Sequence, residues 1–508
     1  MEHPINRVHD LVVQPPRLTF RKYGNLLEIS ENGARPPQSF IDAVAVETVC
    51  QKTKFHFGPD RYAASDDGRP RSVTVELKQL HLIDEHARLV CPHGFLSRVR
   101  RIAADLNHPV DFQDISPPPR SADGYVPDWD SVRRRFQFRP RQEECLRAIT
   151  DSPYGGLVEA VTGFGKMVMI AMTCCLYPRA HFDLTVKSVD LARKTQVFLG
   201  QWLPAVGLVG GGSHTFGRVT VYTAASLHHC SFDSEFLLCD EVHELLADSY
   251  SKELSRSAFP RRLAFTASPV GRSDGTDIRL EAFFGERIFH ITYQQAVDLN
   301  LVVPIRVEWS DVRMSFNPAA GRVGPIKEKH GLWTNDTRNR IIAARANQFA
   351  PDEQVQILVR TIEHAVHLRQ HLPDYTLVYG DMEKLNRERY TSQGLLPATE
   401  PLMTPARREA LRTEFEAGTL KKVISTAVWA VGIDPVQLVA LIRADAGSSQ
   451  ISDIQAPGRV ARRAAGKAVG VVCDFRDQFD PGFAAKAKTR ERHYRALGWE
   501  QVSVGGQS

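Results

Sequence analysis

Two α/β units in tandem, each built on a parallel sheet and preceded by a smaller α+β unit, are the architecture that three features of this sequence predict. At 508 residues the chain is longer than one hydrophobic core serves. Short apolar runs alternate with helical patterns from about 132 to 300, and the alternation begins again from about 305 to 475. A stretch rich in Pro, Gly and Asp at 116–130 has no periodicity and reads as a linker. The expected boundaries are an N-terminal accessory unit at 1–115, a linker at 116–131, α/β units at 132–300 and 301–495, and a tail at 496–508.

Each segment has its own reason. In the first unit, R-S-V-T-V-E-L at 71–77 alternates in the manner of a strand, and 94–106 is an amphipathic helix. Further on, G-L-V-E-A, D-L-T-V-K, V-T-V-Y-T, F-L-L-C-D and R-L-A-F-T read as short buried strands, the kind that parallel sheets use. The second α/β unit supplies V-Q-I-L-V, T-L-V-Y-G, K-K-V-I-S-T, L-V-A-L-I and G-V-V-C-D-F. Two Gly- and Pro-rich segments, around 316–335 and 391–405, are expected as mobile loops.

Composition excludes more than it selects. A formal charge of +5 suits a nucleic-acid partner, but many metabolic enzymes are as basic. The eight cysteines form no C-x-x-C pair, which points to a reducing cytoplasm, that of a host cell if the chain is viral. His81, His86, Cys91 and His93 match no common zinc spacing and read as scattered residues. The start lacks a signal-peptide stretch, and the longest apolar run, 168–177, is about half a membrane span. A soluble protein without a membrane partner is expected.

Chemistry concentrates where strands end. The strand at 155–159 enters A-V-T-G-F-G-K-M at 160–167 and then a helical run, the order a triphosphate site requires. Gly163 and Gly165 let backbone N–H groups approach phosphate oxygens, with Thr162 and Phe164 completing the loop and the helix N-terminus adding its positive end. Lys166 would neutralise the outer phosphates. Met167 stands where the pattern demands a hydroxyl for Mg²⁺, and a thioether is a poor ligand for that ion. The metal must then lean on water, the nucleotide and nearby carboxylates.

Those carboxylates follow the run F-L-L-C in D-E-V-H. Asp240 would hold Mg²⁺, Glu241 would share that role and activate the attacking water, and His243 would link the site to the second unit. Thr266 and Ser268, in T-A-S at the next strand end, would relay the nucleotide state. Gln455, Arg459 and Arg462 recur at helical spacing and can share a face, and an arginine from a second domain at the γ-phosphate is worth roughly 10³–10⁵ in rate. Arg463 reads as part of a solvated face. Arg139 and Gln142, in F-R-P-R-Q, would grip adenine, the amide matching its N6 and N7 edge.

Taken together, these motifs resemble superfamily 2 helicases of the DExH type, in the family's order, and are most similar to phage UvsW-type DNA helicases. The resemblance implies two RecA-like domains that close on ATP and Mg²⁺. It also implies that S-T-A-V-W-A-V-G-I-D at 425–434 places Gly432 and Asp434 toward the nucleotide and Thr426 toward nucleic acid. Lys187 and Ser188, with Thr223 and Ser226, correspond to the family's backbone-contacting segments. Branched or duplex DNA is the implied substrate, with RNA as the nearest alternative. A nucleotide-gated clamp that turns over little because of Met167 is the other. The basic clusters at Arg98, Arg100 and Arg101 and at 131–135 read equally as phosphate contacts or solvated faces.

Overall fold

Apolar runs with helical patterns on either side form two central sheets. The structure, a computed structural model, describes residues 16–56, 72–116, 125–231, 233–242, 250, 253–254, 260–267, 277–429, 433, 435–448 and 450–504. His243, Ser268, Gly432 and Asp434 lie outside the described residues.

In the first sheet the strand order is Ser213–Thr215, Gly207–Gly210, Val219–Thr223, Phe182–Val186, Phe236–Asp240, Arg261–Thr266, Gly155–Ala160 and Arg287–Ile291. Its pairings are parallel except at the Ser213–Thr215 edge. Phe182–Val186, Val219–Thr223 and Phe236–Asp240 are buried at every residue, as strands covered on both faces must be. The helix Lys166–Leu176 is buried continuously from Met169 onward, which explains its apolar character all round.

Seven parallel strands make the second sheet, in the order Thr376–Val378, Lys422–Ser425, Gln354–Leu358, Leu438–Arg443, Gly470–Asp477, Ile305–Val312 and Glu500–Ser503. The last strand corrects the expected tail at 496–508. E-Q-V-S pairs with Ile305–Val312 at the sheet edge, where one neighbour and an open side tolerate polar residues. A second correction concerns 316–335. Gly324–Glu328 is helical, Lys329–Trp333 is a π-turn, and Ala319 and Leu332 are buried with Ala446 and Phe483. Between 391 and 405, Leu396 and Met403 are likewise buried. The first α/β unit also begins earlier than expected, because the helix Trp129–Arg135, capped by Asp128, buries Val132 in its core.

The N-terminal unit has a five-stranded sheet, a separate hairpin of Val49–His56 with Ser72–Gln79, and the helices Gln38–Glu47 and Leu96–Asp105. It is docked on the first α/β unit. A Cβ at Gly94 would lie 2.0 Å from the Glu281 carbonyl oxygen, so only glycine permits this approach. Arg98 donates to both carboxylate oxygens of Glu281 at 2.8 and 2.6 Å and to Glu47 at 3.0 Å. Arg101 pairs with Glu47, and Arg100 lies over the Phe112 ring. Arg98, Arg100 and Arg101, expected as phosphate contacts or as a solvated face, thus meet carboxylates and an aromatic face in this structure. At 131–135, Arg133 binds Glu143 and Arg135 the Trp202 carbonyl.

Seven cysteines among the described residues are buried and free, Cys91 included, and no group of three or more metal-ligating side chains is found there. No helix among the described residues is long and apolar enough to cross a membrane.

Candidate nucleotide site and nucleic-acid groove

The phosphate loop is set by two glycines. After the strand Gly155–Ala160 the chain turns through Gly163 at φ 98° and Gly165 at φ 96°, values that penalise any Cβ. Lys166 opens the following helix. Its ammonium lies 3.2 Å from Glu241 Oε1 and donates to the Ala160 carbonyl at 3.4 Å. Glu241 sits at φ 49°, an uncommon value for a residue with a Cβ, directly after the strand Phe236–Asp240. Asp240 is buried and accepts the Glu241 N–H at 3.1 Å. Two carboxylates, a lysine and a glycine loop thus converge at the ends of neighbouring elements. Met167 packs against the hydrophobic core, so the missing hydroxyl is replaced by a packing contact.

Gln142 and Arg139 lie against the loop itself. The buried Gln142 accepts the Arg139 N–H at 3.0 Å and donates to the Phe164 carbonyl at 3.0 Å. Arg139 donates to the Gly163 carbonyl at 2.9 Å and to the Leu301 carbonyl at 3.1 Å, joining the loop to the segment between the two α/β units. In this arrangement both amide ends of Gln142, the residue expected to grip adenine, serve the protein.

The expected shared face of Gln455, Arg459 and Arg462 is also corrected. Pro457 cannot continue a helix, so Gln450–Gln455 is followed by a 3₁₀ turn at Pro457–Ala461 and an extended Arg462. Arg459 donates to the Trp429 carbonyl at 2.8 Å. Arg462 lies near Glu416, and burial lowers its pKa to about 10. Arg463 donates to the Asn300 carbonyl at 2.7 Å. The units do meet across the loop, for a Cβ on Gly458 would lie 3.3 Å from Thr162 Oγ1. Beside this contact is a cavity of about 470 Å³, lined by Val161, Thr162 and Ala267 on one side and Ile454, Gly458 and Ala461 on the other. Thr266 is buried at the end of Arg261–Thr266.

On another side the units enclose a groove of about 650 Å³. Lys187, Ser188, Arg193 and Lys194 line it from the first unit, and Arg408, Arg412, Ala427, Val428 and Trp429 from the second. Ser188 caps the helix Val189–Leu199, accepting the Leu191 N–H at 3.3 Å. Thr223 and Ser226 share a hydrogen bond of 2.8 Å on the next strand end over. Thr426 is nearly buried, its N–H on the Val378 carbonyl at 3.0 Å, one residue before the groove wall.

Residues 135–271 match the family described as the type III restriction enzyme res subunit, and 337–464 match the helicase conserved C-terminal domain. This chain is a superfamily 2 helicase. The helicase is 22% identical over 357 residues to the DNA 3'-5' translocase XPB2 of Sulfurisphaera tokodaii, spanning 65% of this chain and 80% of that one. Its fold resembles S. cerevisiae Dbp5 bound to RNA and ADP BeF3, with TM-score 0.51, 15% identity, and 73% and 91% of the two chains covered. T4 UvsW aligns over 96% of the helicase and 99% of its own chain, at TM-score 0.39 and 13% identity.

As an enzyme of this family the helicase hydrolyses ATP on two RecA-like domains. Sequence reasoning missed three features of its sites. Arg408 and Arg412 stand one helical turn apart in P-A-R-R-E-A-L-R, a spacing that marks a common face. Arg193 and Lys194, a turn beyond the assigned Lys187 and Ser188, complete the opposite wall. Arg463 gave no signal, because its partner is a backbone carbonyl.

Proposed function

We propose that this helicase is an ATP- and Mg²⁺-dependent motor of the UvsW type that translocates on DNA and remodels branched or duplex substrates. The observation that carries the proposal is the groove, whose two walls come from different RecA-like domains. The same two domains meet at Thr162 and Gly458 beside the phosphate loop. A change in how they approach at the nucleotide therefore changes the width of the groove. Similarity to the DNA 3'-5' translocase XPB2 favours DNA as the strand it holds.

The residues present fit the nucleotide. Gly163 and Gly165 leave room for phosphate oxygens, and Lys166 supplies the opposing charge. Asp240 and Glu241 are hard oxygen donors beside the loop and would hold Mg²⁺, which supplies charge neutralisation at the phosphates. Arriving phosphates draw Lys166 away from Glu241. The released carboxylate can then orient a water and accept its proton. Buried free thiols suit a reducing cytoplasm as its place of work.

ATP hydrolysis measured with Mg²⁺ and no nucleic acid, then with single strands, duplex, forks and RNA, tests the proposal against a Lys166→Ala blank. Stimulation by forks or duplex is the expected result. Stimulation by RNA alone overturns the choice of DNA. ATP binding without turnover on any of them leaves the nucleotide-gated clamp.

A further inference from the structure

Beyond the groove, four aromatic rings stand together on the surface of the first RecA-like domain with no core to fill. Phe216 is 63% exposed, and His214, His228 and His229 are exposed as well. His214 lies 5.9 Å from Phe216 and 4.7 Å from His229 between ring centres, and His229 lies 3.9 Å from His228. The ladder spans two short elements, the edge strand Ser213–Thr215 with the residue after it, and the 3₁₀ turn Ala224–His229. Contiguous aromatic surface left open to water marks a place where something binds.

The sheet order says what reaches it. Thr223 pairs with Val186, and Tyr222 with Val209, so three strand ends lie side by side. Lys187–Ser188, Thr223–Ser226 and Gly210–Gly212 are thus consecutive steps along one rim. Each step touches the next. A Cβ on Gly210 would lie 2.8 Å from Thr223 Oγ1 and 3.2 Å from Ser226 Oγ, and one on Gly211 would strike Val189. Arg193, from the groove wall, donates to the Gly211 carbonyl at 3.4 Å. His214 follows two residues after Gly212, and His229 three after Ser226. The rim therefore leads from the groove to the rings without a break.

We infer that Phe216, His214, His229 and His228 form a stacking platform for the bases of a single strand leaving the groove. This rests on the reading of the groove as the nucleic-acid track. Rings suit that occupant because every base has a π-face, so stacking tolerates any sequence. Partial desolvation, then the nearby His228 and His214, hold the His229 pKa below its usual range, so at neutral pH it offers a ring face and no charge. The three histidines do not stand as a metal site, since no group of metal-holding geometry occurs among the described residues.

The test compares binding of a fluorescent mixed-sequence single strand with that of an abasic strand of equal length. His214→Ala with Phe216→Ala and His229→Ala is expected to weaken the base-bearing strand about tenfold and the abasic strand less than about twofold. His214→Phe with His229→Phe, Phe216 kept, should bind as the parent does, because a ring suffices where a charge or a metal ligand does not. Lys187→Ala, on the backbone track, should weaken both strands alike. An equal loss on both strands, no loss on the base-bearing strand, or failure of the Phe variant to bind as the parent does overturns the platform. If Lys187→Ala changes neither strand while the ring effect persists, the groove reading fails and the platform stands.

Discussion

Lys166 and Glu241 neutralise each other at 3.2 Å in a setting only partly open to water, with 10% and 23% of their side chains exposed. Replacing Glu241 by Gln keeps the shape and removes both the restraint on Lys166 and the base that serves the water. ATP affinity should hold or rise, while turnover falls about 10²–10⁴-fold. Equal losses in binding and turnover would make Glu241 a structural residue. Met167 presents the opposite trade. Threonine there gives up packing worth about 1–2 kcal/mol and adds an oxygen donor. Met167→Thr should lower Tm, raise turnover and lower the Mg²⁺ concentration needed, and an unchanged Mg²⁺ requirement would mean that the carboxylates suffice. Asp183 shows how burial acts without catalysis. It is buried in the strand Phe182–Val186, accepts a hydrogen bond from the Cys230 thiol at 3.2 Å, and burial pushes its pKa up to about 6. The unfolded carboxyl ionises near pH 4, so between about 4 and 6 the folded state holds more protons. Stability from this group is thus highest below that window and is lost as pH rises through it. Asp183→Asn should raise Tm at pH 7 and leave it little changed near pH 4; a gain of equal size at both would assign the effect to shape.

Docking of the N-terminal unit turns on one close approach and one cluster of charges. Gly94→Ala places a methyl within 2.0 Å of a backbone oxygen that cannot give way locally, so the unit must lift from the helix Asp277–Phe284. Faster proteolysis between the N-terminal unit and the first RecA-like domain, with a lowered Tm, is the expected outcome. A variant as resistant as the parent would show that the interface has slack. This docking was illegible in sequence because Glu281 lies 183 residues from Arg98, and an arginine helix that meets carboxylates looks like one that meets phosphates. What was legible had local causes. Strands buried on both faces wrote themselves as apolar runs, and the phosphate loop announced itself through glycines that the backbone requires at Gly163 and Gly165. Glu500–Ser503 escaped because an edge strand needs no apolar face, and Gly324–Glu328 because a Gly- and Pro-rich composition suggests a loop, whereas Pro325 stands at the start of a helix, where proline is favoured. Pro457 had the reverse effect. Helical spacing groups Gln455 with Arg459 and Arg462, but Pro457 parts the first from the others, and the turn ends before Arg462.

For the whole molecule the decisive segment is the one that joins the two motor domains. Asn300 takes φ 54° just beyond the helix Tyr293–Asp298, a conformation asparagine tolerates. Arg463 of the second domain holds the Asn300 carbonyl, and Arg139 of the first holds the next carbonyl, Leu301, while also gripping the loop at Gly163. Val303 closes the segment by donating to the Ala461 carbonyl at 2.7 Å. Movement of the phosphate loop is thus tied through Arg139 to a hinge whose far side is held by Arg463. Two roles for Arg463 differ in what its loss does. A transition-state arginine removed from the γ-phosphate lowers turnover by about 10³ or more whether or not nucleic acid is present. A hinge arginine leaves the chemistry in place and weakens the link between domain closure and the groove. Arg463→Ala should therefore cut nucleic-acid stimulation of ATP hydrolysis at least about fivefold, a coupling loss of about 1 kcal/mol, and move nucleotide affinity less than about twofold. Arg463→Lys, which can still reach a carbonyl, should recover part of the stimulation. Collapse of unstimulated and stimulated hydrolysis together would instead place Arg463 at the phosphate, and the contact with Asn300 would then be the resting position of an arginine that swings in when the cleft closes.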